Sequence, residues 1–495
     1  MIIKNKIDEI QNYLTDASNF KGICEAVYFP ENRNDVVEII KELNVLRKTV
    51  TISGNGTGLT GARVPQNGVV ISTEKLNKII EINEIDKYAI VEPGVILADF
   101  LNSVSEKKLF YPPDPTEKNC FIGGNVATNA SGEKTFKYGP TRDYILALEI
   151  VLPNGDILNL ERGRQFADNY FMNLETENGN KISFEIPDYK MPETTKNTSG
   201  YFCEKDMDPI DLFIGSEGTL GIFTKIKLKL LPEPEKIISC IVFFNEEVDA
   251  FNFIKEARYI SLNTRLRSDK RTLDALSLEY FDEKALRFLY SAYPTIPKSA
   301  KSAVWFEQEV TESNEETFFE YWLNLICENN GDKDNAWFAF DKADKARLQE
   351  FRHSISLKVN EYVSKNNLRK LGTDVAVPDS NFKELYYFSQ KIVEEAGMDY
   401  VIYGHFGNSH MHLNMLPKTN EEYEIGKSLY SKICQKAIEL KGTVSAEHGI
   451  GKMKKSYLIE MYGQQNINKM IEMKKILDPN FILGRGNIFD PAIAL

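Results

Sequence analysis

Histidine is scarce in this chain, cysteine is unclustered, and long apolar runs are missing. No stretch approaches about 18 consecutive apolar residues, which excludes a transmembrane helix. The six cysteines, Cys24, Cys120, Cys203, Cys240, Cys327 and Cys434, are far apart and form no C-x-x-C pair. That excludes a zinc ribbon or iron–sulfur site legible in sequence, fits a reducing compartment, and predicts six buried small hydrophobes. Basic charge is also in deficit: 60 Lys and Arg stand against 72 Asp and Glu, a net charge of −12, which argues against a nucleic-acid partner. The opening MIIKNKIDEIQNYLTD is charged, predicts a plain helix, and resembles neither a secretory signal nor an Arg-rich transit peptide. A cytoplasmic protein is expected.

What is present is an ordinary globular composition, 42% hydrophobic and 27% charged, spread over 495 residues. That length exceeds one ordinary core and predicts two or three domains. Residues 33–46 have helical periodicity with Asn34 or Asp35 as cap. Residues 97–107 read as a helix, 219–231 as an alternating strand, 232–235 as a linker, and 163–190 as an inserted loop or small hairpin. Beyond 235, longer helices mix with strands up to about residue 400, and the last 60 residues read as helices with an irregular tail.

The stretch SGNGTGLTGARVPQNG, residues 53–68, contains Gly56-x-Gly58-x-x-Gly61. This matches the dinucleotide fingerprint, but the fingerprint needs a helix after the last glycine. Here Pro65 and Asn67-Gly68 follow instead, then the apolar Val69-Val70-Ile71. The pattern is strand, glycine loop, strand, and a Rossmann turn is excluded. Two further stretches, residues 112–132 and 215–221, are also rich in Gly, Ser, Thr and Asn. Three such loops suggest a large ligand lying against backbone amides.

Four of the five histidines, His405, His410, His412 and His448, fall within 44 residues. Residues 400–416 read as an antiparallel hairpin turning at Phe406-Gly407-Asn408-Ser409. Position 405 then pairs with 410 and 403 with 412, so His405, His410, His412 and Asn414 share one face. From spacing alone, a solvated polar face and a divalent-metal site are equally open. Ser445-Ala446-Glu447-His448-Gly449 adds a carboxylate and another imidazole.

Taken in order, SGNGTGLTG, PPDPTEKNCFIGGNVATNASG, KYGPTRDYILALEIVLPNG and DLFIGSEGTLGI resemble the FAD-linked oxidases of the vanillyl-alcohol-oxidase superfamily. More narrowly, the chain resembles the FAD-linked D-2-hydroxy-acid dehydrogenases acting on D-lactate, glycolate or D-2-hydroxyglutarate. The resemblance covers about residues 25–489. It implies an α+β fold: a two-subdomain FAD-binding unit, not Rossmann, over 1–234; an α/β substrate or cap domain carrying the hairpin over 235–436; and a helical segment, 437–495, returning to the FAD domain. It implies FAD contacts at Gly54, Asn55, Gly56, Thr57, Gly58, Leu59 and Thr60. The second loop would add Pro113, Asp114, Gly123, Gly124, Ala127, Thr128, Asn129 and Gly132, and the third Glu217, Gly218, Gly221 and Ile222. No His or Cys lies in the first loop, so the FAD is expected to be non-covalent.

The family motifs G-H-x-G-D-G-N-x-H-x-N and S-x-E-H-G imply His405, His412 and Glu447 as ligands of a divalent metal, zinc first, then manganese or iron. They imply His448 as base, with Asn414 beside it. Asn408, Ser409 and His410 depart from that motif, which leaves His410 between a partner of the ligands and a ligand itself. Arg352 stands where the family binds substrate carboxylate, and Ser356 one helical turn later; the alternative for Arg352 is a surface charge. Where the hydroxyglutarate enzymes carry a Lys, two residues before Asp374, this chain has Gly372, with Arg369 and Lys370 out of register. That favours a small monocarboxylate, D-lactate first. Arg485 stands for the family's usual cation near the flavin. The resemblance also implies an electron acceptor (quinone, cytochrome or electron-transfer flavoprotein). It leaves room for a homodimer and for peripheral membrane contact. Competing readings are an oxidase, a flavin-bearing relay subunit, and an NADPH-dependent cell-wall precursor reductase, which would have no reason to keep the histidines.

Overall fold

The computed structural model describes residues 2–268, 271–366, 368 and 370–490; Arg369 lies outside them. The first sheet has four strands in the order Ile2–Lys4, Ala26–Phe29, Val69–Ser72, Val50–Ser53. Its last three strands are parallel, with Val50 opposite Val69 and Ser53 opposite Ser72. The glycine loop therefore joins two adjacent parallel strands with no intervening helix, so its amides stay free of helical hydrogen bonds. The helix Arg33–Val45 covers this sheet, burying Val36, Ile39, Ile40 and Leu43 at helical spacing. Its cap is Asn32, whose side chain accepts from the Asp35 amide; the expected caps, Asn34 and Asp35, lie inside the first turn. The N-terminal segment is not a plain helix. Ile2–Lys4 is a strand antiparallel to Ala26–Phe29 and a short helix follows only at Ile7–Ile10; β-branched Ile2 and Ile3 suit the pairing.

The second sheet is five-stranded and antiparallel, ordered Ile79–Asn83, Tyr88–Val91, Ile222–Lys229, Ile145–Val151, Ile157–Glu161. Residues 163–190 contain the hairpin Phe171–Glu175 with Lys181–Glu185. The expected linker begins inside structure, since Leu231–Pro232 pairs with Leu109–Phe110. The second glycine-rich stretch is likewise not all loop. Ile122–Thr128 is a helix closed by Asn129 at φ +48°, because Ile122 and Val126, one turn apart, are both buried. Gly123 is required there: a Cβ would stand 2.5 Å from the Pro93 side chain and 2.9 Å from its carbonyl.

The third sheet has eight strands. Its path runs Asp332–Ala339, Lys236–Phe244, Ser302–Val310, Ala275–Asp282, Tyr400–Gly404, His410–Met415, Leu371–Gly372, and Val375–Ala376 also pairs with His410–Met415. The histidine hairpin thus lies against Ala275–Asp282, a strand buried along its whole length. The chain then returns to the first sheet: Val50 exchanges hydrogen bonds with Ile482 and Gly484. Not all cysteines are buried; Cys327 is exposed and Cys24 half-buried, because each sits on a solvent-facing position. No described helix is long and apolar enough to cross a membrane.

Candidate active site

The hairpin register is Tyr400 opposite Met415 and Tyr403 opposite His412, with a 3-10 turn at Phe406–Asn408. Alternation then puts His405, His410 and His412 on one face. Their ring centroids are 4.4–5.4 Å apart. The segment after Thr443 carries Glu447 onto that face, anchored by a bond from the Ala446 amide to the Asp374 carbonyl.

The neighbours orient each ring. Ala275–Asp282 pairs with the hairpin at Tyr280 opposite Gly404, which sets Glu279 beside His405. Glu279 Oε1 lies 2.7 Å from His405 Nδ1, and Thr373 O lies 3.1 Å from His412 Nδ1. Both rings therefore turn Nε2 inward, 3.4 and 3.7 Å from Glu447 Oε2. The other oxygen, Glu447 Oε1, accepts from Lys196 Nζ at 2.5 Å and Ser131 Oγ at 2.9 Å. One donor atom from each of His405, His410, His412 and Glu447 falls within 4.8 Å of the others.

Burial lowers His412 and holds His410 down at about 3, so these rings are neutral at pH 7. His405 moves the other way: burial would lower it, but Glu279 overcomes that and raises it. Burial would raise Glu447, but Lys196 and His405 keep it well below the usual carboxylate range. His410 Nε2 lies 3.2 Å from Asp374 Oδ1 in poor geometry, so neither ring nitrogen has a hydrogen-bond partner. The neutral rings of His410 and His412, the inward nitrogens and an anionic oxygen fit a divalent cation, which would satisfy the lone pairs that otherwise face one another.

Asp374 is a different kind of group. Its two oxygens accept from Ser445 Oγ, Lys454 Nζ and the amides of Glu447 and His448, at 2.8–3.2 Å. His448 Nδ1 stands 3.3 Å from Asp374 Oδ2. Donors already fill its coordination, so it serves as an anchor for His448 rather than as a ligand. Burial holds the His448 ring at about 4 against the pull of Asp374. The ring stacks on His412 at 5.8 Å and 15°.

His448 also lines a cavity. Of the residues expected to contact FAD, Gly54, Asn55, Gly56, Thr57, Gly58, Thr60, Gly123, Gly124, Ala127, Thr128, Glu217, Gly218 and Gly221 line it too. Leu59, Pro113, Asp114, Asn129, Gly132 and Ile222 do not. Asp114 is paired with Lys118 and Lys134, Asn129 accepts from the Arg142 amide, Gly132 O takes the Lys196 ammonium, and Ile222 is strand core opposite Val151. Arg352 is no surface charge: it is 2% exposed and its Nε donates to Glu279 at 2.7 Å. Ser356 bonds the Tyr403 hydroxyl at 2.9 Å. Asn414 is buried with both amide atoms unpartnered.

Sequence reading missed Glu279, Lys196, Thr373 and the anchoring role of Asp374. Only Glu279 left a signal, a carboxylate inside the otherwise apolar Ala-Leu-Ser-Leu-Glu-Tyr-Phe.

Glu217 joins the two halves of the site. Its carboxylate accepts from the amides of Ile450 and Gly451, both at 2.7 Å, and a Cβ at Gly449, φ +81°, would stand 3.0 Å from Oε1. Burial outweighs those amides and raises the Glu217 carboxyl to about 7. A folded-state value above the unfolded one stabilises below about pH 4.5 and loses that contribution as pH rises through about 7. Thermal denaturation of Glu217→Gln against the parent is expected to show the parent's midpoint falling relative to the variant's between pH 5 and 8. The full effect is at most about 3 kcal/mol; parallel profiles would mean that Glu217 does not titrate there.

Residues 24–161 match the family described as FAD binding domain, and residues 262–488 that described as FAD linked oxidases, C-terminal domain. The chain is 30% identical to the glycolate oxidase subunit GlcD of Bacillus subtilis strain 168, covering 96% of this chain and 92% of that protein. It is also 30% identical to a D-lactate dehydrogenase of Anaerostipes hadrus, covering 99% and 94%. In fold it resembles p-cresol methylhydroxylase with substrate bound, with a TM-score of 0.70 at 15% identity over 99% of this chain and 94% of that one.

Proposed function

The chain belongs to the FAD-linked D-2-hydroxy-acid dehydrogenases, oxidoreductases acting on CH–OH groups, and we propose that it oxidises a small D-2-hydroxy acid, D-lactate first, to the 2-oxo acid. One observation carries the reading: His448 faces both the cavity walled by the glycine loops and the imidazole cluster.

Bound FAD supplies the hydride acceptor. A divalent ion, zinc or alternatively manganese or iron, would be held by His405, His412 and Glu447, with His410 in reach; it supplies Lewis acidity toward the substrate hydroxyl. His448 takes the hydroxyl proton on Nε2, because Nδ1 lies on the Asp374 side, 3.3 Å from Oδ2. Its lowered pKa keeps Nε2 unprotonated at neutral pH. Arg352 uses Nε on Glu279, so its terminal nitrogens would be the ones to bind the substrate carboxylate. Glu279 fixes both Arg352 and His405. Burial would raise its carboxyl, but His405 and Arg352 hold it at about 2, fully ionised. The Ser356–Tyr403 hydroxyl pair lies beside Arg352, whose guanidinium carbon is 5.3 Å from the Tyr403 ring.

A dicarboxylic 2-hydroxy acid is the second reading, and one observation favours it. Lys370 Cε lies 3.3 Å, and Asn414 Oδ1 2.6 Å, from the point a Cβ at Gly372 would occupy. The Lys370 stem thus reaches the space left open at position 372, next to an unpartnered amide.

The test is anaerobic bleaching of the flavin by D-lactate, L-lactate, glycolate and D-2-hydroxyglutarate, with and without chelator treatment. Bleaching by D-lactate, abolished by chelation and restored by zinc, is expected. Fastest bleaching by D-2-hydroxyglutarate moves the assignment to the second reading. No bleaching by any of the four, in flavin- and metal-replete protein, refutes both.

A further inference from the structure

The cofactor cavity has a wall that the glycine loops do not supply. Residues 12–17 precede residue 24, where the FAD binding domain match begins, yet they are tied across the first loop. Arg63 donates Nε to Thr15 O at 3.1 Å, Nη1 to Gly54 O at 2.7 Å, and Nη2 to Asn12 O. The Ala17 amide donates to Gly56 O at 3.0 Å, and the Tyr13 hydroxyl to Glu74 at 2.5 Å. At the end of this strap Asp16 is 7% exposed and lines the cavity.

The two carboxylate oxygens of Asp16 differ. Oδ1 closes a local turn, accepting from the Ser18 amide at 3.0 Å and from the Ser18 hydroxyl. Oδ2 is buried with no hydrogen-bond partner. The neighbouring cations do not fill it: Arg63 is committed to three carbonyls, and Lys452 Nζ donates to Gly61 O, Ala62 O and Asn487 Oδ1. Burial raises the Asp16 carboxyl, and the Gly61 amide, which points toward it short of hydrogen-bond geometry to Oδ2, offsets this only in part. A Cβ at Gly58 would lie 3.9 Å from Oδ2, so this atom reaches the glycine loop. A buried, unpaired carboxylate oxygen is costly unless a ligand donates to it.

We propose that Asp16 is a flavin-binding residue, its Oδ2 accepting a hydrogen bond from a hydroxyl or ring N–H of the dinucleotide, with residues 12–17 acting as a strap over the cavity. The pyrophosphate offers acceptors and negative charge, so Asp16 faces a sugar, ribityl or ring portion of the ligand. This inference rests on the FAD reading.

Asp16→Asn is the discriminating variant. The Ser18 amide needs an acceptor, so it orients the new Oδ1 toward the turn and leaves an NH₂ donor where Oδ2 was. Ser18→Ala weakens the turn without touching Oδ2. The apoproteins are titrated with FAD by flavin fluorescence, and their unfolding midpoints are measured without FAD. Expected are a parent-like apoprotein midpoint for Asp16→Asn, an FAD Kd raised at least about tenfold, and a parent-like Kd for Ser18→Ala. A parent-like Kd for Asp16→Asn, or an equal loss in Ser18→Ala, overturns the inference alone. A parent protein that takes up no FAD overturns the flavin reading and this inference together.

Discussion

His448→Asn is expected to bind FAD with an unchanged flavin spectrum and to be reduced by hydroxy acid about 10²–10⁴ times more slowly, the range a positioned general base supplies. The backbone of residue 448 is held independently of the ring. Its amide donates to Asp374 Oδ2 at 3.0 Å and its carbonyl accepts from Thr60 Oγ1 at 3.2 Å. Substitution therefore removes the imidazole while leaving the loop in place. Nothing nearby can take over. His412, stacked on His448, turns Nε2 toward Glu447, and Asp374 is saturated by donors. Stopped-flow reduction of the anaerobic flavin measures the effect. A variant reduced within tenfold of the parent would remove His448 from the chemistry and leave the cluster as a binding site only.

Asp374→Asn is expected to cost about 3–5 kcal/mol of stability, the loss typical when a buried charge pair is broken. Asp374 and Lys454 are both buried, with Lys454 Nζ 2.9 Å from Asp374 Oδ2. Burial would raise the Asp374 carboxyl, but His448 and Lys454 drive it well below the ordinary value. An amide cannot replace it in either orientation. One oxygen faces the Glu447 amide; the other faces Ser445 Oγ, the His448 amide and Lys454 Nζ. Whichever side receives the NH₂ meets donors. Chemical denaturation of the two proteins at pH 7 tests this, and equal midpoints and slopes would show that the carboxylate is not an anchor. Because the His448 ring faces Asp374 at 3.3 Å, the surviving folded fraction should also reduce its flavin slowly.

Much of this was legible in the residues because it depends on short-range pattern. Pro65 and Asn67-Gly68 after the glycines exclude a Rossmann helix, and the strand–loop–strand reading follows from local turn chemistry. The hairpin register at Tyr403 and His412 follows from period-two alternation about a four-residue turn. Residues 33–45 are helical because Val36, Ile39, Ile40 and Leu43 repeat at helical spacing. The N-terminal strand was misread because its pairing partner lies at Ala26–Phe29, beyond any local window. The helix at Ile122–Thr128 was hidden by its glycines, whose low helical propensity is overridden by packing against Pro93.

By itself, then, the sequence determined the loops, the hairpin and the residue types of a flavin and imidazole site. Only the tertiary structure decided which charges meet there. Glu279 reaches His405 across 126 positions, Lys196 reaches Glu447 across 251, and Asp374 reaches His448 across 74. Local propensity decides how a few neighbouring residues turn. These contacts arise only when sheets pair and burial removes water, which makes a lone carboxylate or ammonium too costly to leave without its distant partner.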